Sequence, residues 1–171
     1  METVPLAGTA RAEGFAELYE RSFPRVYAYV ASLLRDRASA EDVTAQAFER
    51  AYRKRRSYRA GRGSMDAWVF GIARNAALDE LRKRKRRASL VVDPEDTDSP
   101  TAEDQAELAV RREAVRAALV SLDGQERDLI ALKFAGGLSN GEIARVLGTS
   151  ESNVGTRLHR IITKLREACN D

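Results

Sequence analysis

Apolar residues recur every three or four positions along nearly all of this chain and alternate nowhere, a pattern that specifies helices and leaves no strand to pair. Phe15, Leu18, Tyr19, Val26, Tyr29, Val30 and Leu33 set the register of a first helix ending at Leu34. Pro24 lies inside it and predicts a kink or two helical pieces. Ser39-x-x-Asp42 reads as a capping box opening a second helix to about Arg56. The glycines of 58–64 mark a loop, and Ser64 caps a third helix running through Trp68, Ile72, Leu78 and Leu81. The pattern then stops, because Val92-Asp-Pro-Glu-Asp-Thr-Asp-Ser-Pro100 is acidic, proline-bounded and without apolar periodicity. Helices reopen at Thr101-x-x-Asp104, ending near Ser121, and at Asp123-x-x-Glu126, stopped by Gly136-Gly137. Ser139-x-x-Glu142 is a full capping box for a short helix ending at Leu147-Gly148, and Ser150 caps a last helix to about Cys169. The predicted fold is all-α. Two small helical domains, 11–87 and 102–171, are joined by a flexible acidic linker over 88–101, with a disordered tail over 1–10.

Composition removes several classes of function. At 171 residues and 43% hydrophobic, the chain has the material for two small cores. No apolar run approaches the roughly 18 residues of a membrane span. The N-terminus lacks a basic region leading into an apolar stretch, so a cytoplasmic protein without membrane insertion is expected. The single cysteine, Cys169, and the single histidine, His159, exclude an intrachain disulfide, a multi-cysteine zinc site and most triad chemistry. No cofactor, metal or catalytic residue is expected. The net charge of +3 conceals a strong segregation. Residues 51–87 carry 13 basic and 3 acidic side chains, whereas 88–110 carry 7 acidic and none basic. A basic block of that size points to a polyanion partner.

Three segments carry the functional information. Leu138 to Arg160 encodes a short helix, a turn at Gly148, Thr149 and Ser150, and a longer helix, the pattern of a helix-turn-helix. Ile143, Ala144 and Leu147 face Val154, Leu158, Ile161 and Leu165. Ser152, Thr156, His159 and Thr163 are left on the opposite face, flanked by Asn153, Gly155, Arg157 and Arg160, a slim polar surface suited to a major groove. An ordinary helical hairpin with a solvated face is the plainer reading. Next, the third helix ends in Leu81-Arg-Lys-Arg-Lys-Arg-Arg87, and Arg82, Lys83 and Arg86 are assigned to phosphates. Upstream, Tyr58, Arg59, Arg62, Met65 and Trp68 combine flexible backbone, cations and flat apolar groups, the materials for holding an unstacked base. Trp68 reads as a core anchor. Last, Asp42, Gln46 and Glu49 form a polar stripe opposite Val43, Ala47 and Ala51, which by itself is only solvated surface.

Together these residues resemble an extracytoplasmic-function sigma factor of bacterial RNA polymerase. Ala40-Glu41-Asp42 with Phe48, Arg62-Gly63-Ser64, and Trp68-Val-Phe-Gly-Ile-Ala-Arg-Asn75 with Asp79 and Arg82 are similar to sigma domain two. Leu122, Arg127, Gly137-Leu-Ser139, Glu142-Ile-Ala144, Leu147-Gly148, Ser150, Val154, Arg157-Leu158 and Arg160 are similar to sigma domain four. The resemblance implies that Asp42, Gln46 and Glu49 dock on core polymerase. It implies that 58–65 captures a flipped minus-ten base, with Ser64 and Asn75 among the contacts, and that the last helix reads the minus-thirty-five element. Promoter DNA, core polymerase and an anti-sigma factor are the implied partners, with the acidic linker threading the polymerase's basic channel. Some residues depart from the family pattern. Ala45 and Gln46 replace a glutamine and an acid, Asp123 replaces proline, Ser152-Asn153 replaces Gly-Thr, Gly155 replaces a basic residue, and Ile161-Ile162 replaces Ala-Arg. Phosphorylation at Thr44 or Ser57 would restore negative charge near the docking stripe. Two rivals remain at this point: a stand-alone helix-turn-helix regulator, and a nucleic-acid hydrolase or transferase, for which the sequence lacks parts.

Overall fold

The computed structural model describes residues 7–89 and 106–170. Among the described residues there is no strand, and seven α-helices follow one another: α1 (Ala7–Leu34), α2 (Arg37–Arg53), α3 (Met65–Ala88), α4 (Ala106–Val120), α5 (Gly124–Ile130), α6 (Asn140–Leu147) and α7 (Glu151–Asn170). Two 3-10 turns, Arg55–Ser57 and Ala60–Arg62, carry the chain from α2 to α3, and a π turn, Ala131–Ala135, extends α5.

Side-chain caps explain most of these boundaries. Ser64 accepts from the Ala67 amide to start α3. Asp123 and Glu126 satisfy each other's backbone amides at the head of α5, and Ser139 and Glu142 do the same at α6, so both pairs are complete capping boxes. Gly148 ends α6 in the left-handed region, at φ 66°. Three sequence expectations change. Helix α1 is continuous through Pro24 and begins at Ala7, inside the segment expected to be a tail. Buried residues on both sides of the proline, Leu18, Ser22, Val26 and Tyr29, fix the helix axis where one backbone bond is missing. Helix α2 is capped by Asp36 rather than Ser39, whose amide donates to the Asp36 carboxylate at 3.1 Å, and the helix closes at Arg53. The chain beyond Ile130 widens into a π turn, the Gly136 amide donating five residues back to the Ala131 carbonyl at 2.9 Å, which periodicity alone did not foresee. The tail residues 1–6, most of the expected linker and the box at Thr101-x-x-Asp104 lie outside the described residues.

Helices α1, α2 and α3 pack on Leu18, Val26, Val30, Val43, Val69 and Phe70, and the alanines 47 and 51 let α2 approach closely. In the second unit Leu129, Leu132, Leu138, Ile143, Val154, Leu158 and Ile161 fill the space between α5, α6 and α7. Each such side chain contributes about 1.5–3 kcal/mol on full burial. The two units are not merely tethered. Their apolar residues form one continuous cluster, in which Tyr29 and Phe70 of the first unit meet the second.

Polar ties cross the same seam. The buried Asp128 carboxylate accepts from the Tyr29 hydroxyl at 2.6 Å and from Arg74 Nε at 2.7 Å. Arg25 lies against the Phe70 ring and donates from Nε to the Gly136 carbonyl at 2.8 Å and from its terminal nitrogen to the Gly137 carbonyl at 3.3 Å. Gly136 is a close approach, since a Cβ there would stand 2.8 Å from both the Phe70 ring and the Leu132 carbonyl.

Candidate nucleic-acid interface

Helices α6 and α7 form the expected helix-turn-helix. The Thr149 amide donates to the Ala144 carbonyl at 2.9 Å, and Ser150 Oγ accepts from the Asn153 amide at 3.1 Å, so the turn is closed on both sides. Ile143, Ala144, Val154, Leu158 and Ile161 are buried, which leaves Ser152, Asn153, Thr156, His159, Arg160 and Thr163 exposed on α7. Arg157 is half-buried beside them. Thr156 and Thr163 donate their hydroxyls to the carbonyls one turn back, Ser152 at 3.0 Å and His159 at 2.9 Å. In that rotamer each hydroxyl has its proton committed to the backbone and keeps a lone pair free to accept. A Cβ at Gly155 would meet only the Asn140 amide, at 3.8 Å, so the protein's own packing does not demand glycine there.

The loop before α3 folds over an open cavity of about 350 Å³. Tyr58, Arg59, Arg62, Ser64 and Asn75, five of the sequence-assigned residues, line it together with Trp68. Tyr58 anchors the loop by donating to the Gly63 carbonyl at 2.9 Å, and its ring lies 5.6 Å from that of Trp68. Trp68 is therefore a half-buried wall of the cavity and not a sealed core anchor. Gly63 sits at φ +137°, a conformation open to glycine and costly for other residues. Met65 departs from the group, because it lines a separate hollow with Phe15, Arg55 and Arg56 on the far side of Tyr58.

Asn75, Arg82 and Arg86 follow one another along one face of α3, and 11 residues at about 1.5 Å each carry that row roughly 16 Å from the cavity. Arg82, Lys83 and Arg86 are exposed, with Arg82 paired to Asp79 at 2.8 Å. Arg84, in the middle of the basic run, turns inward instead and holds the Leu34 carbonyl and Glu80. On α2, Asp42, Gln46 and Glu49 are exposed in a row, and Glu49 pairs with Arg53 one turn on. Beside them Tyr19, expected in the core, is 44% exposed and packs edge-on against Phe48. Of the two modification candidates, Thr44 is fully buried with its hydroxyl unpartnered, so no kinase reaches it while α2 is packed. Ser57 is exposed and donates to the Lys54 carbonyl at 2.7 Å.

Sequence reasoning missed the residues from the second unit that close over the cavity. Arg145 and Val146 of α6 form its opposite wall, and Glu142 accepts from the Ser64 hydroxyl at 3.0 Å. Asp66, in the first turn of α3, is bound by Ser22, Arg21 and Arg25. Burial acts to raise its carboxyl, but the Ser22 hydroxyl and the Arg21 and Arg25 guanidiniums outweigh it and hold the group below the ordinary carboxylate range. Tyr29 is shifted the other way, well above an ordinary phenol, first by burial and then by the neighbouring Asp128 charge.

Comparison with known proteins places both units. The family described as Sigma-70 region 2 matches residues 18–87, and that described as Sigma-70, region 4 matches residues 112–165. The chain is 31% identical to the ECF RNA polymerase sigma factor BldN of Streptomyces coelicolor, over 100% of its own length and 66% of that protein. It is 32% identical to the ECF RNA polymerase sigma factor SigX of Bacillus subtilis, covering 91% of this chain and 83% of SigX. With the RNA polymerase sigma factor CarQ of Myxococcus xanthus the identity is 34%, covering 91% and 88%. Its fold is similar to that of the sigma factor RpoE in complex with the anti-sigma factor NepR from Bartonella quintana, with TM-score 0.70 and 24% identity over 92% of this chain and 98% of that one. It is also similar to CnrH in complex with the cytosolic domain of CnrY, with TM-score 0.67 and 25% identity over 96% and 94%.

Proposed function

The chain belongs to the ECF sigma factors of RNA polymerase, and from that premise we propose how its own residues divide the work of directing promoter-specific initiation. Asp42, Gln46 and Glu49 dock the first unit on core polymerase. The loop cavity takes one unpaired minus-ten base against Trp68 and Tyr58, while Arg59, Arg62, Ser64 and Asn75 contact its edges and phosphate. Arg82, Lys83 and Arg86 track the neighbouring phosphates, which position the strand without reading it. Helix α7 enters the minus-thirty-five major groove, where Thr156 and His159 read bases, Ser152 and Asn153 lie nearer the entry turn, and Arg157 and Arg160 hold phosphates. The seven carboxylates between 88 and 110 lie in the polymerase's basic channel as a nucleic-acid mimic. The protein supplies binding energy to an unpaired strand and no bond-making chemistry, and it takes no cofactor.

One observation carries this reading. A base-sized cavity walled by an aromatic pair and three arginines, Arg59, Arg62 and Arg145, continues into an exposed basic row along α3. A stand-alone regulator is not favoured, because its first unit would have no reason to match sigma region 2 over 18–87. RpoE was solved in complex with the anti-sigma factor NepR and CnrH in complex with the cytosolic domain of CnrY, and an anti-sigma factor is the regulator proposed for this chain too. Among the described residues no helix is long and apolar enough to cross a membrane, and we place the protein in the cytoplasm with the polymerase. The test is transcription in vitro with core polymerase on genomic fragments. Start sites that share two upstream elements, and that vanish when the protein is omitted, are expected. Initiation independent of the protein overturns the proposal.

A further inference from the structure

We propose that Lys133 and Asn140 form a phosphate seat for the minus-thirty-five duplex, reached through a gap in α7 that Gly155 leaves open. This rests on the groove reading of α7 and adds a contact to the DNA strand that its arginines do not meet. Gly155 lies inside α7, where glycine is less stable than alanine. Its backbone is outside the left-handed region, and a Cβ there would meet only the Asn140 amide nitrogen, at an ordinary contact distance of 3.8 Å. Neither conformation nor internal packing accounts for the glycine, whereas a surface brought close from outside does. The Lys133 ammonium donates to Asn140 Oδ1 at 3.0 Å. An ammonium has donors only, so the amide oxygen faces Lys133 and the amide NH2 is turned toward Gly155. Among the described residues that NH2 finds no acceptor and Lys133 no carboxylate. Both side chains are half-buried, which limits how far they can swing. An ammonium and an amide NH2 side by side, without an acceptor of their own, are a donor set for an anionic oxygen.

Direction identifies the anion. Successive residues of α7 turn by about 100°, so Gly155 and Arg160 stand about 70° to either side of the midline of the Ser152, Thr156, His159 and Thr163 face. Arg157 lies beyond Arg160 on the same side. A helix in the major groove has a phosphate chain along each flank, and Arg157 and Arg160 meet one of them. Along the other flank α6 runs beside the first turns of α7. A Cβ on Gly141 would stand 3.5 Å from the Glu151 carboxylate, and one turn further Gly155 faces Asn140. Glu151 repels phosphate and bounds the seat on its side, so the strand comes close at Gly155. There a phosphate oxygen accepts from Asn140 Nδ2 and Lys133 Nζ, with no α7 side chain between. The contact positions the duplex and reads no base.

The experiment uses holoenzyme assembled from the full chain and core polymerase, on a promoter fragment with a mapped start site. Two quantities are read: the salt dependence of binding, and the phosphates whose ethylation blocks it. Wild type is expected to show ethylation interference on both flanks of the minus-thirty-five groove. Gly155→Ala should unfold at a higher urea concentration than wild type yet bind the promoter roughly tenfold more weakly, as for one lost hydrogen bond to a charged group. Lys133→Met, checked for unchanged helical content, should lower the log–log salt slope by about one unit. It should also erase interference on the flank away from Arg160, with the preferred bases unchanged. Asn140→Leu should erase the same interference and leave the slope nearer to wild type, because an amide carries no charge. Wild-type affinity in the more stable Gly155→Ala protein overturns the proposal. So does a Lys133→Met holoenzyme with the wild-type slope and interference pattern. If either occurs while Arg160→Ala still removes interference on its own flank, the seat falls and the groove reading of α7 stands. Wild-type binding that ignores the minus-thirty-five sequence overturns both.

Discussion

A proton on Asp66 weakens ties to Ser22, Arg21 and Arg25 together, and Arg25 is also the grip on the second unit. Because the folded carboxyl lies below its unfolded value of about 3.9, its contribution is fully present above that pH and is lost as pH falls below about 4. Asp66→Asn should therefore lower stability at pH 7 and flatten the acid limb, which urea unfolding at pH 7 and pH 3 measures. His159 is a prediction of another kind. It is exposed on α7 one turn from Thr156, and a hydrogen bond between either side chain and a base edge is expected to give about 1–3 kcal/mol of discrimination. Selecting a randomised minus-thirty-five library against wild type and His159→Ala should relax the preferred sequence at one position. An identical preference with evenly reduced affinity would remove His159 from the reading set. The exposed face of α7 was legible in the sequence, since periodicity alone separates it from the Val154, Leu158 and Ile161 row. Asp128 was not. A lone carboxylate beside Leu129 carries no local sign that its partners, Tyr29 and Arg74, lie on two other helices.

At the scale of elements, caps were the most readable feature, and Ser64, Asp123, Ser139 and Ser150 all begin helices where the sequence placed them. The cap of α2 was misplaced because Asp36 and Ser39 compete for the same turn, and the residue that accepts an amide hydrogen bond wins. Helix α3 carries a test of its own. Neutralising Arg82, Lys83 and Arg86 together should weaken promoter binding across sequences alike and reduce the salt dependence by roughly one unit of log–log slope per lost phosphate contact. Arg84→Ala should instead leave that slope unchanged, since its guanidinium is spent on the Leu34 carbonyl and Glu80. Helix α2 carries another. Asp42→Arg reverses charge on the exposed row and should weaken core-polymerase binding at least tenfold in a pull-down or titration, while the full chain still binds a minus-thirty-five duplex. Normal assembly by that variant would dissociate the row from docking.

At the scale of the molecule, two domains were readable from the acidic break, but their shared core was not. The seam is built from residues that also look like ordinary core of each unit, Tyr29, Phe70 and Leu132 among them. No periodicity distinguishes a residue buried within its own unit from one buried against the other. Tyr29 offers a pH handle on that seam. Its phenol is raised by burial and by Asp128, so its contribution is fully present below the unfolded value of about 10 and is lost as pH rises beyond it. Wild type should therefore lose stability between pH 9 and pH 11 more steeply than Tyr29→Phe, measured by urea unfolding at both. The separation of these residues along the chain has a further consequence, in time. Tyr29 leaves the ribosome 99 residues before Asp128, which at 5–20 residues per second is a delay of about 5–20 s. The first unit is complete only at Ala88, so for the last 40 of those residues, about 2–8 s, it exists with its seam uncovered. A newborn first unit thus carries an uncovered apolar seam until the second unit follows, and that window is when it is most prone to aggregate.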